Sequence, residues 1–324
     1  MKTTFINIKQ LLLVEHKSTR VVRGRKMKDI PAISDAYLTI ENDRIVDYGS
    51  MNELGNSGRT IDCSGQLILP TWCDSHTHIV YAAPRHREFV MRIQGKSYEE
   101  IAEAGGGILN SAQATQKESE SALLAMAKER LLEVIGMGTG AIEIKSGYGL
   151  TIDAEIKMLR VIKRLKEFSP IPIKATFLGA HAIPIEYKSN RHEYIRLIID
   201  KMLPQIAEEK LADYCDVFCD EGFFTIEETD EILKAAGEYG LKPKIHANEL
   251  AISGGVQVGI ANNAVSVDHL ERTSEAEIEA LKNSNTIPTL LPGTSFFLNI
   301  PYANARAMIE ADLPVCLASD YNPG

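Results

Sequence analysis

The sequence lacks a long apolar segment and an export signal. No apolar run approaches the roughly 20 residues that a membrane-spanning helix needs. The N-terminus, residues 1–7, has no apolar core followed by a small-residue cleavage site, so we expect no signal peptide. These absences predict a cytoplasmic protein that has no membrane partner.

Positive charge and cysteine are also scarce. The net charge of -9 argues against a nucleic-acid partner, and the most basic stretch, residues 17–28, is predicted to be a short solvated loop. The 5 cysteines are odd in number and lie mostly in predicted strands. We expect buried free thiols in a reducing compartment.

What is present is an ordinary globular composition, with 44% hydrophobic and 24% charged residues among 324. Residues 1–64 are predicted to form a small β domain resembling part of a β-sandwich. Its predicted elements include a short strand at Leu11-Leu12-Leu13-Val14 and a hairpin whose strands flank Glu41-Asn42-Asp43.

Residues 65–324 alternate between short apolar strands and amphipathic helices, which predicts a (β/α)8 barrel. Capping boxes mark helix starts at Ser97 and Thr225, and a further helix follows Thr151. Other helical patterns cover about 119–135, 192–208, 274–283 and 302–311. The eight predicted strands end near Asp74, Lys145, Leu178, Cys219, Ala247, Asp268, Leu291 and Ser319.

A His-x-His pair closes the first barrel strand. Alternate side chains of a strand share a face, so His76 and His78 would project together and could hold one divalent metal. Two solvent-facing histidines in a loop would give the same pattern. Counting His86, however, six of the eight histidines fall at or just beyond predicted strand ends, which favours a shared site.

Three imidazoles and one carboxylate would suit a single zinc or iron ion, which lowers the pKa of a coordinated water. Glu249 and His269 are candidates for proton transfer to the substrate. For His269, an equally weighted alternative is that it only orients the metal ligands. The candidate ligands are His76, His78, His246 and Asp320.

Several motifs along the barrel resemble the amidohydrolase superfamily and, within it, the imidazolonepropionase family. The motifs are Asp74-Ser75-His76-Thr77-His78, Gly105-Gly106-Gly107-Ile108, Glu143-Ile144-Lys145-Ser146-Gly147-Tyr148-Gly149, Leu178-Gly179-Ala180-His181, His246-Ala247-Asn248-Glu249 and Ser319-Asp320-Tyr321-Asn322-Pro323-Gly324.

The resemblance implies metal-dependent hydrolysis of 4-imidazolone-5-propanoate to N-formimidoyl-L-glutamate, which opens a cyclic amide in histidine degradation. An arginine suits the propionate of this small anionic substrate, and Arg85 has a rival in Arg87, whose alternative role is a surface cation. The same four candidate ligands hold the metal by similarity. The implied substrate contacts are Arg85, Tyr148, His181, Glu249, Asn322 and Gly324.

The mechanistic hypothesis is that a metal-activated water attacks the lactam carbonyl while Asp320 takes the proton. Glu249 would contact a ring nitrogen, and His269 would stabilise the oxyanion or relay a proton. Many relatives hold two metals bridged by a carboxylated lysine on strand four. Residues 214–221 contain no lysine, and Lys145 lies on strand two, so we expect one metal ion.

Two other functions stay open at this point. A cytosine- or guanine-type deaminase would share the metal ligands, but Arg85, Tyr148 and His181 favour a substrate that carries a carboxylate. A catalytically silent barrel that acts as a binding protein is the second alternative. The family extends beyond the position of Gly324, so we expect a barrel truncated after strand eight and an incomplete β domain. A homodimer is also expected.

Overall fold

The computed structural model describes residues 2–15, 19–96, 100 and 106–324, which form two compact units, Met1–Thr71 and Trp72–Gly324. The predicted capping box at Ser97, and also Gly105 and Lys17, lie outside the described residues. Within the described ranges, no helix is both long and apolar enough to cross a membrane.

The first unit contains one five-stranded mixed sheet, in the order β3-β2-β1-β4, with β5 also paired to β1. Two short 3-10 helices, Gly24–Lys28 and Met51–Glu53, accompany it, so part of the predicted basic loop is helical. Its strands are β1 (Lys2–Leu12), β2 (Ala32–Glu41), β3 (Arg44–Ser50), β4 (Arg59–Asp62) and β5 (Leu67–Ile68).

The predicted hairpin is confirmed, because β2 and β3 pair antiparallel around Asn42 and Asp43. Both residues have positive φ, 50° and 62°, as a two-residue hairpin turn of type I′ requires. The predicted short strand at Leu11 was wrong in extent, since β1 begins at Lys2. The first half of β1 is polar, so its strand conformation is evident only from its pairing with β2, for example between Thr4 and Thr39.

The second unit is the predicted barrel, with eight parallel strands in sequence order. A bridge between Thr77 and Tyr321 joins its first strand to the segment after its last, and the His78 amide donates to the Tyr321 carbonyl at 2.7 Å. The strands are β6 (Trp72–Thr77), β7 (Thr139–Lys145), β8 (Ile173–Ala180), β9 (Tyr214–Cys219), β10 (Lys242–Ala247), β11 (Ser266–His269), β12 (Ile287–Leu290) and β13 (Cys316–Leu317).

Helices follow the strands as the periodicity predicts, and the capping box at Thr225 is confirmed. The predicted helix over 192–208 is interrupted by a π-helical turn, Ile198–Met202, just before Pro204, which has no N–H for the helical ladder. The described helices are α1 (His86–Ile93), α2 (Ile108–Lys117), α3 (Glu120–Gly136), α4 (Ile152–Phe168), α5 (Arg191–Leu197), α6 (Leu203–Glu209), α7 (Ile226–Glu238), α8 (Gly255–Ala261), α9 (Glu275–Lys282), α10 (Pro292–Leu298) and α11 (Ala305–Glu310).

All five cysteines carry free thiols, as expected, but they are not all buried. Cys63, Cys215 and Cys219 are buried, whereas Cys73 and Cys316 are exposed. The exposed pair lies on β6 and β13, the first and last barrel strands. A strand assignment alone therefore did not decide burial, because each strand has two faces.

Candidate metal centre and adjoining cavity

Five histidines gather at the carboxyl ends of the barrel strands, where a β/α barrel carries its chemistry. His76 and His246 have ring centroids 4.4 Å apart, and those of His78 and His181 are 5.3 Å apart. His86 does not join them and is exposed at the start of α1. The buried cluster consists of His76, His78, His181, His246 and His269.

Three predicted ligands converge on one point. The Nε2 atoms of His76 and His78 are 3.3 Å apart, and Asp320 Oδ1 lies 3.6 Å and 3.5 Å from them. Donor atoms around a tetrahedral ion with bonds of about 2.1 Å are about 3.4 Å apart. His246, the fourth predicted ligand, belongs to a second set of potential metal-binding side chains, which shares His76 with the first set and also includes His269. The structure thus has a histidine-rich site that can hold a metal ion.

The donor atoms are in the state that metal binding needs. Burial holds the pKa values of His76 and His78 well below the ordinary value, so both imidazoles are neutral at pH 7. In the described part of the chain, His246 Nε2 is buried without a hydrogen-bond partner. Because such groups are costly to bury alone, a bound ion fits this cluster.

Two buried aspartates adjoin His76 and His246 on the Nδ1 side of each ring. Asp268 Oδ2 is 2.6 Å from His76 Nδ1, and Asp216 Oδ2 is 3.0 Å from His246 Nδ1. An ionised carboxylate can only accept, so each Nδ1 keeps its proton and each Nε2 stays available to a metal. The sequence reasoning missed both aspartates, although a charged residue within an apolar strand was a usable signal.

Hydrogen bonds hold both the backbone and the side chain of Asp320. Its amide donates to the His76 carbonyl at 3.0 Å, and its Oδ2 accepts a hydrogen bond of 2.7 Å from the Thr294 hydroxyl. Oδ1 therefore faces the histidines while Oδ2 is occupied. Thr294 follows β12 and was not singled out in the sequence.

The two predicted proton-transfer residues are neighbours. His269 Nδ1 lies 3.6 Å from Glu249 Oε2 and 3.6 Å from Glu271 Oε2. Burial would lower the pKa of His269, but the two glutamates outweigh it and raise that pKa to about 10. Burial raises the pKa of Glu249 to about 7. His269 also has a φ of 83°, a strained conformation of the kind that gathers at functional sites.

The loop that carries Glu249 is fixed by Asp220 at the end of β9. The Asp220 carboxylate accepts hydrogen bonds from the amides of Glu249, Leu250 and Ala251, at 2.8, 2.9 and 3.1 Å. Three amide donors on one buried carboxylate leave this loop little freedom. The side chain of Glu249 consequently starts from a fixed backbone position.

A cavity of about 370 Å³ adjoins three of the candidate ligands, His78, His246 and Asp320. It also contains Arg92, a second arginine that the sequence reasoning did not single out. All of the predicted substrate contacts line this cavity, namely Arg85, Tyr148, His181, Glu249, Asn322 and Gly324.

Arg85 lines this cavity and has one donor group without a partner. Its Nε donates to Ser111 Oγ at 2.9 Å, and its Nη1 donates to the Gly324 carbonyl at 2.7 Å. Its Nη2 is buried and, among the described residues, has no hydrogen-bond partner. The rival Arg87 is exposed. The guanidinium is thus held rigidly with one amino group left for a ligand.

His181 and Asn322 are also fixed by hydrogen bonds. His181 Nδ1 donates to the Gly147 carbonyl at 3.0 Å, which leaves Nε2 unprotonated, and burial keeps the pKa of this imidazole well below the ordinary value. Asn322 donates to the Asp320 carbonyl at 2.8 Å and accepts from the Gly324 amide at 2.7 Å. The Asn322 side chain therefore also secures the loop that carries Asp320.

The chain matches no family model, but it has extensive similarity to curated proteins. It is 55% identical over 326 residues to an imidazolonepropionase of Flavobacterium johnsoniae, covering 100% of this chain and 79% of the relative. An imidazolonepropionase of Christiangramia forsetii is 53% identical over 320 residues, covering 98% and 78%. This chain belongs to the imidazolonepropionase family.

Several solved structures have a fold similar to that of the imidazolonepropionase chain described above. A triazine hydrolase from Arthobacter aurescens has a TM-score of 0.69 at 14% identity, covering 98% of this chain and 71% of that one. Guanine deaminase from C. acetobutylicum has a TM-score of 0.63 at 14% identity, covering 100% and 75%. An atrazine chlorohydrolase solved in complex with zinc has a TM-score of 0.60 at 13% identity, covering 99% and 72%. These likenesses show the shared barrel.

Proposed function

We propose that this protein hydrolyses 4-imidazolone-5-propanoate to N-formimidoyl-L-glutamate, a ring-opening step of histidine degradation. The observation that carries the proposal is 55% identity, over the whole chain, to a protein named imidazolonepropionase. The cavity supports it, because an arginine with an open donor lies beside a cluster of metal-binding side chains. A small anion with a hydrolysable ring suits both features.

One metal ion, zinc or iron, would be held by three imidazoles and one carboxylate, a donor set that accepts either. When bound, the ion polarises the amide carbonyl and lowers the pKa of the attacking water. The absence of lysine from β9, all of which lies in the described range, supports one ion rather than a bridged pair. The proposed ligands are His76, His78, His246 and Asp320.

The rest of the reaction falls to protein side chains. Arg85 Nη2 donates to the substrate propionate, and Tyr148 and His181 hydrogen-bond the carboxylate or the ring. Asp320 takes the proton of the attacking water and returns it to the ring nitrogen that leaves when the C–N bond breaks, and Glu249 contacts a ring nitrogen. Glu249 and Glu271 favour the protonated form of His269, so this group stabilises negative charge on the carbonyl oxygen or relays a proton.

The decisive experiment compares metal-loaded and chelator-treated protein with 4-imidazolone-5-propanoate as substrate. We expect loss of the imidazolone with the loaded protein alone, and no ammonia release from cytosine or guanine. Ammonia release from either base would replace the proposal with a deaminase, and a fully loaded but inactive protein would favour a silent binding barrel. Homodimer formation and cytoplasmic location stay predictions.

The role of His269 is tested separately. His269→Ala should lower kcat strongly and leave the metal content unchanged, because His269 is not one of the four proposed ligands and its Nδ1 faces Glu249 and Glu271. Near-normal turnover would dismiss a part in the reaction. Loss of metal in this variant would instead indicate that His269 is a ligand, because His269 lies close enough to His76 and His246 to share an ion with them.

A further inference from the structure

A cluster of buried charges lies inside the barrel next to the metal ligands. Its centre is Lys145 on β7, which is 0% exposed. Lys145 Nζ lies 2.7 Å from Asp216 Oδ2, 2.9 Å from Glu143 Oε1 and 3.8 Å from Asp268 Oδ2. Burial would lower the pKa of Lys145, but these three carboxylates outweigh it and raise that pKa, so the ammonium is charged. The reaction proposed above makes no use of this cation.

The same carboxylate oxygens that face Lys145 also face the ligand histidines. Asp216 Oδ2 lies 3.0 Å from His246 Nδ1, and Asp268 Oδ2 lies 2.6 Å from His76 Nδ1. One ammonium is thereby connected, through one atom of each aspartate, to histidines on two different strands. We propose that Lys145 is a positioning residue of the metal site, which fixes Asp216 and Asp268 so that His246 and His76 turn Nε2 toward the ion.

The physical reason is charge compensation inside the barrel. A carboxylate buried without a cation is strongly destabilised, so it would move or recruit another partner. Asp268 has a second cation, because Lys244 Nζ is 3.2 Å from its Oδ2. Among the described residues, the lysine that contacts Asp216 is Lys145. Loss of Lys145 should therefore disturb His246 more than His76.

The sign of the change in metal affinity separates this role from a simple charge effect. An ammonium acting only through its charge repels a divalent ion, so its removal would tighten metal binding. Removal of a positioning group should weaken metal binding instead. Changes to the partners that orient metal ligands typically weaken binding by about 10- to 100-fold.

The test uses Lys145→Met in the full chain with Co²⁺ as the probe. Chelator competition gives the Co²⁺ affinity, and the visible absorption bands of bound Co²⁺ report the ligand geometry. We expect binding weaker by about 10-fold or more, with altered bands. Equal or tighter binding with wild-type bands would overturn the proposal. The inference rests on the proposed metal site, but no substrate is used, so failure of the proposed reaction would leave this result intact.

Glu143→Gln is the matched control, because Glu143 contacts the same ammonium but neither histidine. It should change stability and leave the Co²⁺ bands as in the wild type. If Lys145→Met alone does not fold, Lys145→Met/Asp216→Asn removes both Lys145 and the carboxylate nearest to it. Its Co²⁺ affinity should lie within about 3-fold of that of Asp216→Asn, since the two residues act as one unit. A further 10-fold loss, about the size of an independent contribution, would count against the proposal.

Discussion

Replacing Arg85 by methionine gives the sharpest test of how the cavity holds its substrate. Methionine keeps an unbranched apolar stem and removes the planar cation. Two of the three guanidinium nitrogens already bond to Ser111 Oγ and the Gly324 carbonyl, at 2.9 and 2.7 Å. The expected loss in substrate binding is therefore at least what Nη2 contributes to a bound carboxylate.

A hydrogen bond between charged groups contributes about 1.5–3 kcal/mol. Since about 1.4 kcal/mol corresponds to a tenfold change, kcat/KM should fall roughly 10- to 160-fold. The propionate is remote from the reacting amide, so the loss should appear mainly as a higher KM with a smaller change in kcat. Arg92 lines the same cavity and would reduce the loss if it also reaches the carboxylate.

Steady-state kinetics of imidazolone loss at saturating metal measures the effect. Arg87→Met is the matched control, because Arg87 lies two residues further along, within α1, and is exposed, so the change should leave both constants unchanged. A substrate analogue without the carboxylate should react equally with wild type and Arg85→Met. An unchanged KM for Arg85→Met, or an equal defect with that analogue, would refute the assigned contact.

Three further predictions concern other parts of the barrel. In Gly147→Ala the new Cβ would lie 2.9 Å from His181 Nδ1 at a backbone φ of 105°, so kcat/KM should fall by about 10-fold or more while Co²⁺ content is retained. Glu209→Gln should lower the unfolding free energy by about 0.2–1 kcal/mol near neutral pH. Hydrogen bonds from Arg160 lower the pKa of Glu209 from its usual 4.5 to about 2, so this difference is full above pH 4.5 and disappears in urea titrations as pH approaches 2. Leu159→Ala, at a fully buried position on α4, should cost about 2–5 kcal/mol in the same titrations without changing KM.

Much of the barrel could be predicted because its signals are local. The eight strands and the capping box at Thr225 depend on periodicity and on residues three positions apart, and all are confirmed. The start of β1 was missed because Thr4 and its polar neighbours show no apolar run and are stabilised by pairing with β2. The π-helical turn before Pro204 was missed because helical periodicity continues across it.

The sequence by itself determined that His76 and His78 project together at the end of the first barrel strand and that polar side chains follow several buried strands. Both conclusions need only the two-residue period of a strand and the common direction of parallel strands. The partners that hold this site could be decided only by the tertiary structure. Asp268 lies 192 residues from His76, and no local rule relates them until the barrel closes. The same closure places Lys145 against Asp216, which turns a lysine of unassigned role into the candidate support of the metal centre.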